Sequence, residues 1–404
     1  MSRGKDMEKK IQEVLTRSID TIYPNRESLE KILNSGKKLR IYMGIDPTAT
    51  YVHLGHATNY IILKRFHELG HKIIVLVGDF TAMIGDPSDK SSARKRLSRE
   101  QVKENLKTFK DQISKIIDFE NKDNPVELRF NSEWLSKMSF EDVVNLAAHF
   151  TVQQMIERDI FQKRIKEKKP LYVNEFFYPL MQGYDSVVLE ADVEVGGTDQ
   201  TFNMLAGRQL AKELQGREKF VVATTLLENP LTGEKLMSKS LGTGIALNEA
   251  PNEMFGKVMA LPDEAVIQCF IDCTYVDLNK IKQYEGEITE GANPRDIKML
   301  LANEIVKMYH SEKDAAMAQD HFINVFQKKE LPKEIEEIEI SGNLPIPNLL
   351  VQAGLAPSGS EARRLITSGA VEVDGAKITE ISTTISTHPG MVIKVGKRRF
   401  AKIK

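Results

Sequence analysis

The stretch from Lys38 to Phe80 limits the fold more than any other. It runs Lys-Leu-Arg-Ile-Tyr-Met-Gly-Ile-Asp-Pro-Thr-Ala-Thr-Tyr-Val-His-Leu-Gly-His, then a long apolar segment, then His71 to Asp79. Leu39 to Ile45 has the composition of a strand, and Asp46-Pro47-Thr48 is turn chemistry. From Gly55 the pattern becomes helical, with Ala57, Tyr60, Ile61 and Phe66 near one stripe, and Gly70 stops it. Ile73 to Val77 is a bare apolar run, as expected of a buried parallel strand. The unit is strand–helix–strand with a right-handed crossover. Ligands of such sheets sit beyond the carboxyl ends of the strands, where His53-Leu54-Gly55-His56 falls on the first turn of the helix. Unpaired backbone donors there favour an anion. Two imidazoles add donors, and Gly55 removes a side chain that would hold a flat ligand off the backbone.

The chain has 404 residues, enough for two to four domains. Its net charge of −1 excludes a global basic signature, so any nucleic-acid surface must be local. The two cysteines, Cys269 and Cys273, sit four apart and read as small buried residues of a reducing compartment. They lack the further ligands of a metal site. No secretory leader or bilayer-length apolar run is evident, so a cytoplasmic protein without a membrane association is expected.

Met7 to Leu33 reads as a charged helix with Ile11, Leu15, Ile19 and Ile22 as its apolar side. After the strand–helix–strand unit comes a glycine- and proline-bearing loop, Thr81 to Ser88, and a basic run, Lys90 to Arg99. That run is either a solvated loop or a phosphate contact. Ser98 and Gln101 form a capping pattern, Val126 to Phe130 a short strand, and Phe140 to Lys168 a helix. In Asn174 to Glu190, Tyr178, Gln182 and Asp185 recur at i, i+4 and i+7 on one helical face. A polar stripe among Phe176, Phe177, Leu180, Met181 and Val187 is either a solvent face or the wall of a polar pocket. Val193 to Val195 is a strand followed by Gly196-Gly197-Thr198-Asp199-Gln200, a second glycine-lined turn at the ligand edge. Phe220 to Thr224 is another strand. Pro230 to Gly244 is a lysine- and serine-bearing loop in which Lys239 could reach a phosphate as a mobile point charge.

Beyond Leu247 only helical patterns occur, until an acidic, proline-bearing stretch from Lys328 to Ile340. From Asn343 the composition changes to a small α/β pattern, with helices at Leu349 to Gly354 and Ser360 to Ser368. Val371 to Val373 and Lys377 to Ile378 flank Asp374-Gly375, a hairpin signal. Met391 to Val395 and Arg399 to Ile403 are further strands. From Asn343 to Lys404 there are nine Lys or Arg and four Asp or Glu, a local net charge of +5.

Taken together, these residues resemble a known family. His53-Leu-Gly-His56 looks like the HIGH signature of class I aminoacyl-tRNA synthetases, and Leu236-Met-Ser-Lys-Ser240 like their KMSKS loop. Tyr42, Asp46-Pro47-Thr48-Ala49, Tyr178-xxx-Gln182-xx-Asp185 and Gly196-Gly-Thr-Asp-Gln200 resemble the bacterial-type tyrosyl-tRNA synthetases in particular. The segment Gly354 to Phe400 resembles the small RNA-binding module shared with ribosomal small-subunit protein four. One departure stands out: Leu236 occupies the place of the lysine before methionine, and Lys235 lies one position earlier.

The resemblance implies an α/β protein: a Rossmann-like parallel-sheet catalytic domain over 1–245 with a connective insertion at roughly 81–170. A helical anticodon-binding domain over 246–327, a linker over 328–342 and an RNA-binding module over 343–404 would follow. It implies activation of L-tyrosine by ATP, with Mg²⁺ accompanying the nucleotide and no tightly bound cofactor, then transfer to the 3′ end of tRNA(Tyr) by a homodimer. Thr48, His53, His56, Lys239 and Ser240 would be catalytic. Tyr42, Asp46, Asp86, Tyr178, Gln182, Asp185 and Gln200 would bind tyrosine. Asp185 would accept the phenol proton, Tyr42 would donate to the phenol oxygen, and Tyr178, Gln182 and Gln200 would take the α-ammonium, with Asp86 beside them. ATP would meet His53, Gly55, His56, Gly197, Asp199, Lys235, Met237 and Lys239. RNA phosphates would meet Arg363, Arg364, Lys397, Arg398 and Arg399. A tryptophanyl-tRNA synthetase shares fold and reaction, but an indole offers only a donor, which suits Asp185 facing Tyr42 less well. A non-catalytic RNA-binding protein would need none of His53, His56 and Lys239. No G-x-G-x-x-G or G-x-x-x-x-G-K-[ST] pattern supports a dinucleotide enzyme or a P-loop NTPase.

Overall fold

The computed structural model describes residues 2–88, 97–237, 243–327, 335, 337–396 and 399–404. In the first compact unit, Met1–Ala316, alternating apolar strands and amphipathic helices build one sheet. Its strands are β1 (Ile19–Tyr23), β2 (Arg40–Ile45), β3 (Lys72–Val77), β4 (Glu127–Phe130), β5 (Val193–Gly197) and β6 (Phe220–Thr224). Their spatial order is β1-β6-β5-β2-β3-β4. β2 to β6 pair in parallel, and β1 joins β6 antiparallel at the edge. β5 and β6 are buried along their whole length, which is why they read as unbroken apolar runs. From β2 the chain moves outward to β3 and β4, and later returns on the other side through β5 and β6. The order therefore reverses between β2 and β5, and a crevice opens at their carboxyl ends.

β1 was not expected. The segment read as one helix is a helix at Ser2–Thr16, then β1, then a helix at Arg26–Asn34. Ser18 takes a left-handed φ of 62°, the β-branched Ile19, Thr21 and Ile22 follow, and Pro24 and the capping Asn25 restart the chain as a helix. Asn25 Oδ1 accepts from Ser28 N at 2.9 Å. The expected helix from Phe140 to Lys168 is likewise divided, into Phe140–Ala147, Val152–Ile156 and Asp159–Lys166. The Ser139 and Thr151 hydroxyls cap the first two of these by accepting from Asp142 N and Gln154 N.

The helices from Pro251 to Tyr309 pack into the same compact unit as the sheet, so a composition boundary at 245/246 does not divide compact units. The side chain of Arg17 explains part of this. It is buried, and it donates to Phe270 O, Ile271 O and Thr274 O at 3.2, 2.9 and 2.8 Å. Those carbonyls end the Val266–Cys273 helix, where intrahelical partners run out. Cys269 and Cys273 are buried on that helix, and burial pushes the Cys269 thiol up to about 12.

The second unit, Met317–Lys404, has a five-stranded sheet in the order β10-β9-β12-β13-β7 and a two-stranded ribbon of β11 and β8. These are β7 (Glu337–Ile338), β8 (Asn343–Pro345), β9 (Val371–Val373), β10 (Ala376–Ile378), β11 (Thr384–Ser386), β12 (Val392–Val395) and β13 (Arg399–Ile403). Asp374 and Gly375 both have positive φ, 47° and 81°, as a two-residue hairpin loop of that hand requires. Helices Ile346–Gln352 and Gly359–Thr367 cover a core that includes Leu349, Ile366, Ile393 and Ile403. The stretch expected to be a linker contributes β7, which pairs in parallel with β13. The ribbon of β8 and β11 was not expected either. Among the described residues no helix is long and apolar enough to cross a membrane.

Candidate active site

A cavity of about 620 Å³ opens at the reversal point, walled by Met43, Gly44 and Ile45 of β2 and by Val195, Gly196 and Gly197 of β5. Gly44 gives the floor its flatness: a Cβ there would meet only Leu76, at 3.9 Å. Of the described residues expected to bind tyrosine or ATP, Asp46, Thr48, His53, Gly55, His56, Asp86, Tyr178, Gln182, Asp185, Gly197, Asp199, Gln200, Lys235 and Met237 all line this cavity. Lys239 and Ser240 lie outside the described residues.

At one end the helix Leu54–Glu68 begins beside the crevice, so the positive end of its dipole lies at the cavity. His53 precedes it, and the His53 and His56 rings stack with centroids 3.7 Å apart. A Cβ on Gly55 would come within 3.2 Å of the His53 ring, so glycine here keeps the two imidazoles in place as well as opening the backbone. The preceding turn is clamped from outside. Gln112 is buried; its Oε1 accepts from Val52 N at 2.8 Å and its Nε2 donates to Thr50 O at 3.0 Å. Asn105 Nδ2 donates to Pro47 O at 2.8 Å. The loop bearing the lysine and serines is planted at both feet. Leu236 N donates to Leu227 O, while Leu54 N donates to Ile245 O and Leu247 N to Val52 O. Lys235 Nζ lies 3.6 Å from Asp199 Oδ2. Gly197 leaves the room that Asp199 needs, since a Cβ there would sit 2.6 Å from Asp199 Oδ1.

At the other end the helix Val173–Val188 presents Tyr178, Gln182 and Asp185, so the polar stripe is a pocket wall. Asp185 is 2% exposed. Its Oδ1 accepts from Trp134 Nε1 at 2.8 Å and its Oδ2 from Asn131 Nδ2 at 3.3 Å. Burial holds its carboxyl well above the ordinary range, against the downward pull of those two donors. Tyr178 OH donates to Asp46 Oδ2 at 3.0 Å, and Thr81 Oγ1 donates to Asp46 Oδ1 at 2.7 Å. Gln200 Nε2 donates to Asp86 Oδ2 at 2.7 Å. Asn131 and Trp134 were missed in the sequence. The available signal was Asn131 at the end of β4, itself a strand end on the ligand edge.

Tyr42 stands apart from the other residues expected to bind tyrosine. It is fully buried and does not line the cavity; its hydroxyl bonds Ser186 Oγ at 2.7 Å. Tyr42 shares a face of β2 with Gly44, but it lies one pleat deeper, about 6–7 Å from the ligand edge. Its hydroxyl is engaged there by Ser186.

In the second unit, Arg363 and Arg364 are exposed on the helix Gly359–Thr367, where Arg364 pairs with Glu361 at 2.7 Å. Arg399 NH1 donates to Leu355 O at 2.6 Å. Lys397 and Arg398 lie outside the described residues.

Known proteins resemble this chain over nearly its whole length. The family described as tRNA synthetases class I (W and Y) matches residues 34–327. The domain described as tyrosine--tRNA ligase SYY-like C-terminal matches residues 327–403. The tyrosine--tRNA ligase of Thermotoga maritima is 45% identical over 391 residues, 96% of each chain. That of Carboxydothermus hydrogenoformans is 46% identical over 403 residues, 97% of each chain. Among solved structures, a C-terminally truncated mitochondrial tyrosyl-tRNA synthetase of Aspergillus nidulans superposes with a TM-score of 0.65 at 22% identity, over 81% of this chain and 100% of that one. The Archaeoglobus fulgidus tyrosyl-tRNA synthetase complexed with L-tyrosine gives 0.59 at 21% identity, over 78% and 99%.

Proposed function

The chain belongs to the class I tRNA synthetases (W and Y), its activity is that of a tyrosyl-tRNA synthetase, and on that premise we propose how the cavity divides its work. Tyrosine lies over Gly44 with its phenol toward Asp185. The carboxylate, held by two N–H donors, has lone pairs left to accept the hydroxyl proton. That acceptor in a buried pocket is the observation that carries the reading: a para hydroxyl pairs it, and the bare ring of phenylalanine would leave it unpaired. The α-ammonium faces Tyr178, Gln182, Asp86 and Gln200, with Asp46 holding Tyr178.

ATP occupies the end at His53, with Thr48, His53 and His56 on its phosphates and Asp199 and Gly197 beside its ribose. Mg²⁺ arrives on the triphosphate of this substrate. The tyrosine carboxylate attacks the α-phosphorus, a phosphorus–oxygen bond forms, and pyrophosphate leaves. The tRNA 3′ hydroxyl then attacks the acyl carbon and AMP departs. No side chain forms a covalent bond, so the rate comes from alignment and from stabilising charge on the phosphoryl oxygens. Lys239 and Ser240 complete that stabilisation in this reading, and Lys235, at the cavity rim, reaches the same phosphates.

The second unit takes tRNA(Tyr) through Arg363, Arg364, Lys397, Arg398 and Arg399, supported by its local charge of +5. A cytoplasmic homodimer completes the proposal. Phe140 and Val173, 83% and 72% exposed, are apolar surface suited to a second copy. Tyrosine-dependent exchange of label between pyrophosphate and ATP tests the whole reading. Exchange with tyrosine and little with tryptophan or phenylalanine is expected, and exchange driven by tryptophan would overturn it.

A further inference from the structure

Under the amino-acid end of the cavity lies a buried charge pair that none of these roles uses. Lys219, just before β6, is 0% exposed, and Glu194 of β5 is 2% exposed. Lys219 Nζ pairs with Glu194 Oε2. It also donates to Ser186 Oγ at 2.8 Å and to Met204 O at 3.1 Å, so each of its three N–H groups has an acceptor. Gly207, on the helix Thr201–Gln215, makes the space: a Cβ there would lie 2.6 Å from Lys219 Nζ. The other Glu194 oxygen, Oε1, accepts from Gln182 Nε2 at 3.0 Å. Glu194 and Gln182 both line the cavity.

We propose that Lys219 and Glu194 are positioning residues that fix which end of the Gln182 amide meets the substrate ammonium. A carboxylate only accepts hydrogen bonds. With its NH₂ group committed to Glu194, Gln182 must turn its oxygen to the cavity, and an oxygen is what an ammonium requires. A neutral partner at 194 could donate as well as accept, and the amide could then present its NH₂ group, which repels a cation. Lys219 keeps Glu194 charged where a lone carboxylate would be costly to bury. The inference rests on the assignment of Gln182 to the α-ammonium above.

The test compares two ligands on the full-length protein. One is L-tyrosine; the other is 3-(4-hydroxyphenyl)propionate, which keeps the ring, hydroxyl and carboxylate and lacks the ammonium. Glu194→Gln and Lys219→Met should each raise KM for tyrosine about tenfold or more, with kcat within a few-fold, and leave the Kd of the desamino acid unchanged. The double variant Glu194→Gln/Lys219→Met leaves no charge at this pair, so it should regain the thermal stability that Lys219→Met loses while keeping the raised KM. Equal weakening of both ligands, or recovery of the tyrosine KM in the double variant, would overturn the proposal and leave the pair a packing element. Gln182→Ala serves as the ruler. If it leaves tyrosine binding untouched, the proposal also fails, and the fault lies in the assignment of Gln182. A wild-type protein without tyrosine-dependent exchange would instead fault the functional reading itself.

Discussion

At the amino-acid end of the cavity, both oxygens of Asp185 are held by N–H donors and its exposure is 2%. At the nucleotide end, the Lys235 side chain is 42% exposed and stands 3.6 Å from Asp199. The first end is cross-linked below its surface, by Asn131, Trp134, Glu194 and Lys219, before any ligand arrives. The second is made of a helix terminus, glycines and the charges of Lys235 and Asp199 at the cavity rim. The difference follows from what each end must do. Telling a hydroxyl from a hydrogen needs an acceptor whose unpaired state is costly, hence burial. Stabilising charge that appears only as pyrophosphate leaves needs cations that engage late.

The largest expected effect lies at the open end. Lys239→Ala should slow single-turnover adenylate formation by roughly 10²- to 10³-fold while equilibrium tyrosine affinity stays within a few-fold; equal losses in both would erase the contrast. Asp185→Ala should do the reverse. The ratio of kcat/KM for tyrosine over phenylalanine should drop by ~10²-fold, mostly because tyrosine is lost, and an unchanged ratio would mean that the phenol lies elsewhere. A third variant, Lys235→Ala, sharpens the picture. Because Leu236 fills the usual lysine position, Lys235 should carry part of its task and cost about tenfold in adenylation, measured in the same burst; no loss would assign the whole charge to Lys239.

Cutting the chain after Gln327 should leave the adenylate burst intact, flatten the salt dependence of tRNA binding, and lower its log–log slope by somewhat under one unit per lost phosphate contact. A cut after Ser341 would instead strand β7 away from β13. The smallest effect on activity belongs to His71, at the opposite edge of the sheet. It is buried, accepts from Leu39 N at 3.3 Å, and burial lowers its pKa to about 4. Between pH 6.5 and 4 the unfolded chain binds a proton there and the native chain does not, so stability present above that window is lost as pH falls. His71→Gln should make the fall of Tm across the window shallower without altering kcat; an identical slope would remove His71 from the account.

The strand–helix–strand unit was legible because period and punctuation agree there: β2, the Leu54–Glu68 helix and β3 fall where composition put them. The polar stripe at Tyr178, Gln182 and Asp185 was legible because helical spacing alone puts those side chains on one face. Depth was not legible. Tyr42 and Gly44 share a face of β2, and pattern cannot say which of two residues on a face reaches the ligand edge. Partners distant in sequence were also hidden. Lys219 and Glu194 are 25 positions apart, and an isolated lysine before a strand carries no mark of burial. β1 was missed because Ile19 and Ile22 suit either period, and the deciding events, a left-handed Ser18 and a break at Pro24, are local.

The clamp on Asp185 has a consequence for changing the amino acid that this pocket accepts. Removing the carboxylate alone does not leave a neutral hollow. It leaves the Trp134 indole N–H and the Asn131 amide N–H pointing at a shared empty spot, two donors with no acceptor. Such a socket should welcome a para substituent that only accepts, such as a nitro or carboxylate group, more readily than the bare ring of phenylalanine. Reprogramming toward plain aromatic rings would therefore require Asn131 and Trp134 to change together with Asp185.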